Sequence, residues 1–253
     1  NSLGSNTTGV ENVAMGYNAL SNNTTGINNT AVGFEALKLN NTAVDNTAVG
    51  FQALDENTTG KQNTAVGRNA LGKNTTASGN VAVGRTSLEN TTTGYQNTAI
   101  GMDAMYTNTT GYDNIAIGFL ARGTSATTNG QCTLGHTAIT NLRCNDTSIS
   151  SLSDERDKTN IVDVPLGLTF LNTVRPVAFD WDRRDGSMVG KKDFGFIAQE
   201  LKVASEATAY TDHMRLVCED NPDRLEADPM KMFPILVKAI QELSAKVEAL
   251  ENA

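Results

Sequence analysis

The sequence predicts a mainly β N-terminal part, a parallel β-roll or β-helix of 17-residue coils, followed by a small α+β domain that ends in a coiled-coil helix. Three observations predict it: a motif recurring every 17 residues from Asn12 to Gly135, an abrupt change of composition near residue 150, and a heptad of apolar residues from Phe233 onward. The chain has 253 residues, 39% of them hydrophobic but only 6% aromatic. That is long enough for one or two domains, yet short of the large side chains that fill a thick core.

The repeat carries the first argument. Asn12-Val-Ala-Met-Gly16, Asn29-Thr-Ala-Val-Gly33 and Asn46-Thr-Ala-Val-Gly50 are followed in register by copies opening at Asn63, Asn80, Asn97 and Asn114, and by the degenerate Gln131-Cys-Thr-Leu-Gly135. The fourth position is always apolar (Met15, Val32, Val49, Val66, Val83, Ile100, Ile117, Leu134) between small or polar neighbours, the alternation of a strand face. A second apolar point five residues later (Leu20, Leu37, Leu54, Leu71, Leu88, Met105) implies a second short strand per coil. Glycine after the apolar residue, and Asn-Thr-Thr-Gly stretches such as Asn57 to Gly60, supply the turns. One coil cannot bury its own apolar face, but coils stacked at the strand spacing of about 4.8 Å make a continuous ladder, roughly 40 Å for eight. The alanine row from Ala14 to Ala116 leaves a narrow interior, so the Leu20 to Leu88 row is expected to bury itself against neighbouring subunits of a fibrous oligomer. The Asn-x-Thr triplets at Asn6, Asn23, Asn57, Asn74, Asn90 and Asn108 match a glycosylation acceptor. Their recurrence assigns them instead to turn and ladder hydrogen bonding.

These coils resemble the head repeats of trimeric bacterial adhesins and many phage fibre shafts, which implies a trimeric β-solenoid shaft over residues 1–139. Beyond residue 152 the composition changes: all five prolines and the only tryptophan, Trp181, lie there. Residues 1–152 hold 9 acids and 7 bases and the remainder 19 acids and 13 bases, so neither part is a cationic surface and no nucleic-acid partner is expected. No apolar run approaches the roughly 20 residues of a bilayer span, and Asn1-Ser2-Leu3-Gly4 lacks a signal-peptide layout, so no membrane insertion is expected. Cys132, Cys144 and Cys218 are too few, and odd in number, for a disulfide framework, which fits assembly in a reducing cytoplasm. Cys132, His136 and Cys144 lack a Cys-x-x-Cys pair and a fourth ligand, so no metal is expected.

A polar connector, residues 140–152, leads into Ser153-Asp154-Glu155-Arg156-Asp157-Lys158. A serine with a lysine five residues on carries no signal by itself. Here it is followed in order by Gly195-Phe-Ile-Ala-Gln-Glu-Leu201 and Leu236-Val-Lys-Ala-Ile-Gln-Glu-Leu243. Together the three segments resemble the intramolecular chaperone auto-processing domain at the C-termini of phage endosialidases, tail fibres and neck appendages. The resemblance covers residues 153–253, divided into a self-cleaving chaperone domain over 153–228 and a trimerising helix over 229–253. It implies that Ser153 is the nucleophile of self-cleavage, that Lys158 is its base, and that the scissile bond joins Leu152 to Ser153. Asp154, Arg156 and Gln199 are the supporting candidates, although Asp154 and Arg156 read equally well as a solvated charged loop. Serine becomes a nucleophile only when its proton is removed, and an amine can accept that proton only when neutral, so a pKa of about 10.4 must fall. Burial of Lys158 near Arg156 is expected to lower it. Attack on the preceding carbonyl is intramolecular and needs no substrate pocket. No glycine-rich phosphate loop with lysine is present, so no cofactor is expected. Phe179, Trp181, Phe194 and Phe196 are expected to form the core of the small domain.

Phe233, Leu236, Ile240, Leu243, Val247 and Leu250 alternate steps of three and four, a heptad seam flanked by Lys238, Glu242, Lys246 and Glu248. The seam by itself admits a dimer, a trimer or a helix packed on its own domain; the resemblance implies a homotrimer. The expected protein is the C-terminal part of a phage tail fibre or spike on the virion, assembled in the host cytoplasm, with a host-surface receptor, glycan or protein, as a partner of the shaft. A cellular trimeric adhesin or surface-binding protein with a non-cleaving trimerisation domain is the alternative.

Overall fold

The computed structural model describes residues 1–136, 139, 153–184, 186, 188–220, 223 and 225–253. The connector 140–152, with Cys144 and the expected cleavage residue Leu152, lies outside them. The chain divides into two units, residues 1–139 and 140–253.

Among the described residues the first unit is a parallel sheet of eight three-residue strands in chain order: β1 (Val13–Met15), β2 (Thr30–Val32), β3 (Thr47–Val49), β4 (Thr64–Val66), β5 (Val81–Val83), β6 (Thr98–Ile100), β7 (Ile115–Ile117) and β8 (Cys132–Leu134). Each residue pairs with the one 17 positions on, as in Ala48↔Ala65, so the sequence period is the pitch of a β-solenoid. The central alanine of β2 to β7 points inward and is buried, and the residues on either side point outward.

Each coil has one strand where the sequence implied two. Leu20, Leu37, Leu54, Leu71 and Leu88 sit at a corner with φ between 49° and 52°, in the left-handed region. They are also fully buried within their own chain, in one cluster with the strand alanines. The expectation that this row packs on neighbouring subunits is therefore overturned: the room left by small alanines on the strand side is filled from the opposite corner. A left-handed leucine costs about 1–2 kcal/mol, and burying its side chain contributes about 1.5–3 kcal/mol, so burial covers the strain. Non-strand sides of the coil are also bonded coil to coil, as in Leu37 N to Ala53 O at 3.0 Å and Thr58 N to Thr75 O at 2.9 Å.

Two columns of buried asparagine fix the register. In the column that precedes the strands, Asn63 donates from N and Nδ2 to Asn46 Oδ1 at 3.0 and 3.1 Å, and its Nδ2 also donates to Ala77 O at 2.8 Å. The same bonds recur from Asn29 to Asn114. In the second column, Asn40, Asn57 and Asn74 each donate Nδ2 to the Oδ1 of the asparagine one coil earlier, at 2.8–3.1 Å. These are the triplets that match a glycosylation motif, and burial in the ladder accounts for Asn23, Asn57, Asn74 and Asn108. Asn90 lies off the column and donates instead to Tyr106 O. Glycine is required where coils touch most closely: at Gly50, φ +142°, an added Cβ would lie 2.5 Å from the Gly67 carbonyl oxygen.

The second column is broken once. Thr91 stands where the period calls for asparagine, and Asn74 Oδ1 is left buried with no hydrogen-bond partner.

The second unit is a small α+β domain. Among its described residues it contains α1 (Leu168–Leu171), the antiparallel pair β9 (Val177–Asp180) and β10 (Lys192–Gly195), α2 (Ala198–Glu206), α3 (Thr211–Met214), the short pair β11 (Val217–Cys218) and β12 (Glu226–Ala227), and α4 (Phe233–Glu251). Its core is Phe170, Leu201, Met214, Leu216, Met232 and Ile235, with Phe196 packed against it. The expected aromatic core is thus corrected. Strand alternation puts Phe179 and Trp181 on one face of the hairpin as a half-buried edge-to-face pair, while Phe194, opposite Ala178, is 85% exposed on the other.

Restoring the missing rung should stabilise the shaft. Thr91→Asn is expected to raise stability by about 1 kcal/mol, read as a higher midpoint in thermal or denaturant unfolding. An unchanged or lower midpoint would mean that the column does not act as one ladder.

Candidate active site

Ser153 and Lys158 flank a single 3-10 turn, Glu155–Asp157. Asp154 caps it: its side chain accepts from Arg156 N at 2.9 Å, while Asp157 N and Lys158 N donate back to the carbonyls of Asp154 and Glu155. Aspartate suits this position because its short carboxylate reaches a backbone N–H two residues on. One tight turn of three residues per revolution then brings the two ends of the hexapeptide together. Lys158 Nζ donates to Ser153 Oγ at 2.7 Å and to Ser153 O at 3.0 Å. The first contact lies within the reach a proton transfer requires.

Arg156 does not face Lys158. Its guanidinium donates to both carboxylate oxygens of Asp154, at 3.0 and 2.6 Å. Those bonds hold the Asp154 carboxyl below the usual carboxylate range and the Arg156 guanidinium above its own. The expected burial of Lys158 beside Arg156 is absent from the single chain: residues 153–160 are all exposed, and the arginine charge is matched by Asp154.

Gln199 lies in the first turn of α2, and among the described residues no hydrogen bond joins it to Ser153 or Lys158. It borders a separate cleft of about 910 Å³ walled by Leu166, Phe170, Arg175, Glu200 and Val203. An Arg175–Glu200 ion pair ties α2 to the segment after α1 at its rim.

Glu242 was read from the sequence as a flank of the heptad, but the fold gives it another task. Its carboxylate accepts from Leu168 N at 2.9 Å, tying α4 to the start of α1, and a Cβ at Gly167 would lie 2.4 Å from Glu242 Oε1. Nothing in the heptad distinguishes this glutamate from its neighbours; the signal is the glycine 75 residues earlier that leaves it room. Among the described residues no group of three or more His, Cys, Asp or Glu could hold a metal ion, and no helix is long and apolar enough to cross a membrane. His136 and His213 pack edge-on against Phe119 and Tyr210.

The turn that joins Ser153 to Lys158 stands at the first residue of a family match. Residues 153–213 match the family described as chaperone of endosialidase. The match contains the first two of the three motifs, Ser153–Lys158 and Gly195–Leu201, and agrees with the family they resemble; a chaperone of this family carries self-cleaving peptidase activity in general. No curated protein and no solved structure matches the chain.

The clamp on Asp154 has a testable sign. A carboxyl held low in the folded state contributes stability above its unfolded pKa, and that contribution is lost as pH falls through the folded value. In an NMR pH titration Asp154 should titrate below ordinary carboxylates, and Arg156→Ala should return it toward their range. No change in the variant would mean that the guanidinium does not hold the turn.

Proposed function

We propose that this chain is the C-terminal part of a phage tail fibre or spike in which residues 153–253 act as an intramolecular chaperone. In this reading the chaperone trimerises the chain, guides folding of the β-solenoid and then cuts itself off between Leu152 and Ser153. The observation that carries the reading is the 2.7 Å contact between Lys158 Nζ and Ser153 Oγ at the first residue of the chaperone match. A β-solenoid followed by an endosialidase-type chaperone supports a phage appendage with its own folding aid. The fibre would be assembled in the host cytoplasm and carried on the virion.

In the proposed reaction neutral Lys158 takes the Ser153 hydroxyl proton as Oγ attacks the Leu152 carbonyl carbon. The Leu152–Ser153 C–N bond breaks, the freed nitrogen takes the proton, and an ester links Leu152 to Oγ. Water then hydrolyses the ester, leaving a carboxylate on residue 152 and a free amine on Ser153. Each chain reacts once. Lys158 is solvated in the single chain, so the desolvation that neutralises it comes from neighbouring copies of the domain. Cleavage is thereby tied to assembly.

Trimerisation is assigned to α4. Its inner face, Ile235 and Ala239, is buried in the domain, whereas the heptad seam stays open, with Phe233 63%, Ile240 66% and Leu250 78% exposed. Packing on its own domain therefore uses a different face from the seam, which leaves the seam for other copies. Solenoid strands pair far apart in sequence and expose edges while they form, and chains held together by a helix bundle search locally. Removal of the bundle after folding leaves a product whose persistence is kinetic.

On a denaturing gel, wild type should resolve into residues 1–152 and 153–253, whereas Ser153→Ala should remain at 26.9 kDa. Lys158→Ala should slow cleavage by at least about 100-fold. Cleavage of Ser153→Ala at the wild-type rate would overturn the assignment of the nucleophile, and persistent intact wild-type trimer would favour the adhesin alternative. Leu243→Asp should yield monomer in sedimentation; a trimer would remove α4 as the trimerising element.

A further inference from the structure

We propose that Asn129-Gly130, at the corner of the coil that leads into β8, is a self-modifying site: its asparagine loses ammonia without an enzyme and, in doing so, loosens β8 from the sheet. The site belongs to the solenoid and involves no step of the cleavage reaction. An asparagine is thermally labile because the backbone nitrogen of the next residue can attack its side-chain amide, and the attack is easiest when that residue has no Cβ in the way. Of all the asparagines in the chain only Asn129 precedes a glycine. Every buried asparagine of the two columns except Asn40 precedes Thr, Val or Ile, whose branched Cβ hinders the approach.

The corner is open to the reaction. Asn129 and Gly130 are both exposed, a Cβ at Gly130 would meet nothing within 4 Å, and among the described residues no hydrogen bond engages Asn129 Nδ2, the nitrogen that leaves. Two bonds restrain the pair: Tyr112 N donates to Asn129 Oδ1 at 3.0 Å, and Gly130 N donates to Tyr112 O at 3.1 Å. Gly130 N must leave its acceptor to act as nucleophile, so the reaction waits on opening of the coil. The coil is weakly secured there. Arg122 is exposed where earlier coils bury leucine or methionine, and Thr133 at the centre of β8 is half-buried where β2 to β7 bury alanine. Little apolar surface is exposed when such a corner opens, which places it at the low-stability end of the fold.

In the reaction Gly130 N attacks Asn129 Cγ, the bond from Cγ to Nδ2 breaks, and Nδ2 leaves as ammonia with the proton from Gly130 N. A cyclic imide remains. Water opens it at either carbonyl carbon, giving aspartate or isoaspartate, and in isoaspartate the main chain runs through the former side chain and is one carbon longer. The difference matters because one side chain pins the segment at both ends: Asn114 Nδ2 donates to Thr128 O at 2.7 Å, and Asn114 Oδ1 accepts from Gln131 N at 3.0 Å. Aspartate keeps the chain length and an oxygen for Tyr112 N. Isoaspartate adds a carbon between the two anchors, so one of them lets go, and β8, which starts at the residue after Gln131, loses its register on β7.

The test incubates the folded full chain at mildly alkaline pH, follows its proteolytic peptides by mass spectrometry and counts isoaspartate by enzymatic methylation. Asn129 should convert at least about 10-fold faster than any other asparagine. Hydrogen exchange should then find the backbone of Cys132–Leu134 opened in the isoaspartate form and protected in Asn129→Asp, which carries the same charge on a chain of unchanged length. An amide that stays intact at Asn129 while the denatured chain converts it, or another asparagine that converts first, would overturn the site. Equal protection of β8 in the isoaspartate form and in Asn129→Asp would overturn the loosening.

Discussion

A buried amide must find partners for two N–H groups and a carbonyl oxygen, and the shaft is built around how asparagine meets that demand. Each amide in the column before the strands takes its partners from the coil before and the coil after, so its satisfaction depends on neighbours at a fixed 17-residue interval. Leaving such a group unmatched costs about 1–3 kcal/mol, comparable with what a buried leucine contributes. The strand pairing, the inward alanines and the left-handed leucines all follow once that interval is held. Three-residue strands are too short to hold it alone.

In the turn from Ser153 to Lys158 a different economy operates. The hexapeptide from Ser153 to Lys158 contains no buried residue, and its geometry comes from a capped turn and one internally paired aspartate and arginine. A turn of this kind places an amine beside a hydroxyl at little cost but cannot desolvate it. Position is therefore a property of one chain, while under the proposed reaction the desolvation of Lys158 belongs to the assembly.

The period, the inward alanine and the glycine corner were legible because each is a one-dimensional regularity of the chain. The side chosen by the leucine row was not. An apolar residue every 17 positions fits the inside of a coil as well as the outside, and a left-handed φ at leucine runs against local preference, so only the closure of the whole coil decides. In the hexapeptide the motif and its company singled out Ser153 and Lys158 as candidates, whereas the pairing of Arg156 with Asp154 in place of a contact with Lys158 depends on a two-residue side-chain reach that the order of residues does not express. Phe194 was misread because strand alternation carries it outward, and the bond from Leu168 N to Glu242 was not legible because a glycine distant in sequence makes room for it.

The close approach at Gly50 and its equivalents, together with the asparagine column that runs from Asn29 to Asn114, makes the length of such a solenoid discrete. Losing or gaining a few residues within a coil would misplace every later rung, but deleting or duplicating a whole 17-residue unit would preserve them all. Recombination between near-identical units could therefore lengthen or shorten the solenoid in steps of about 4.8 Å, changing its length while leaving its cross-section untouched.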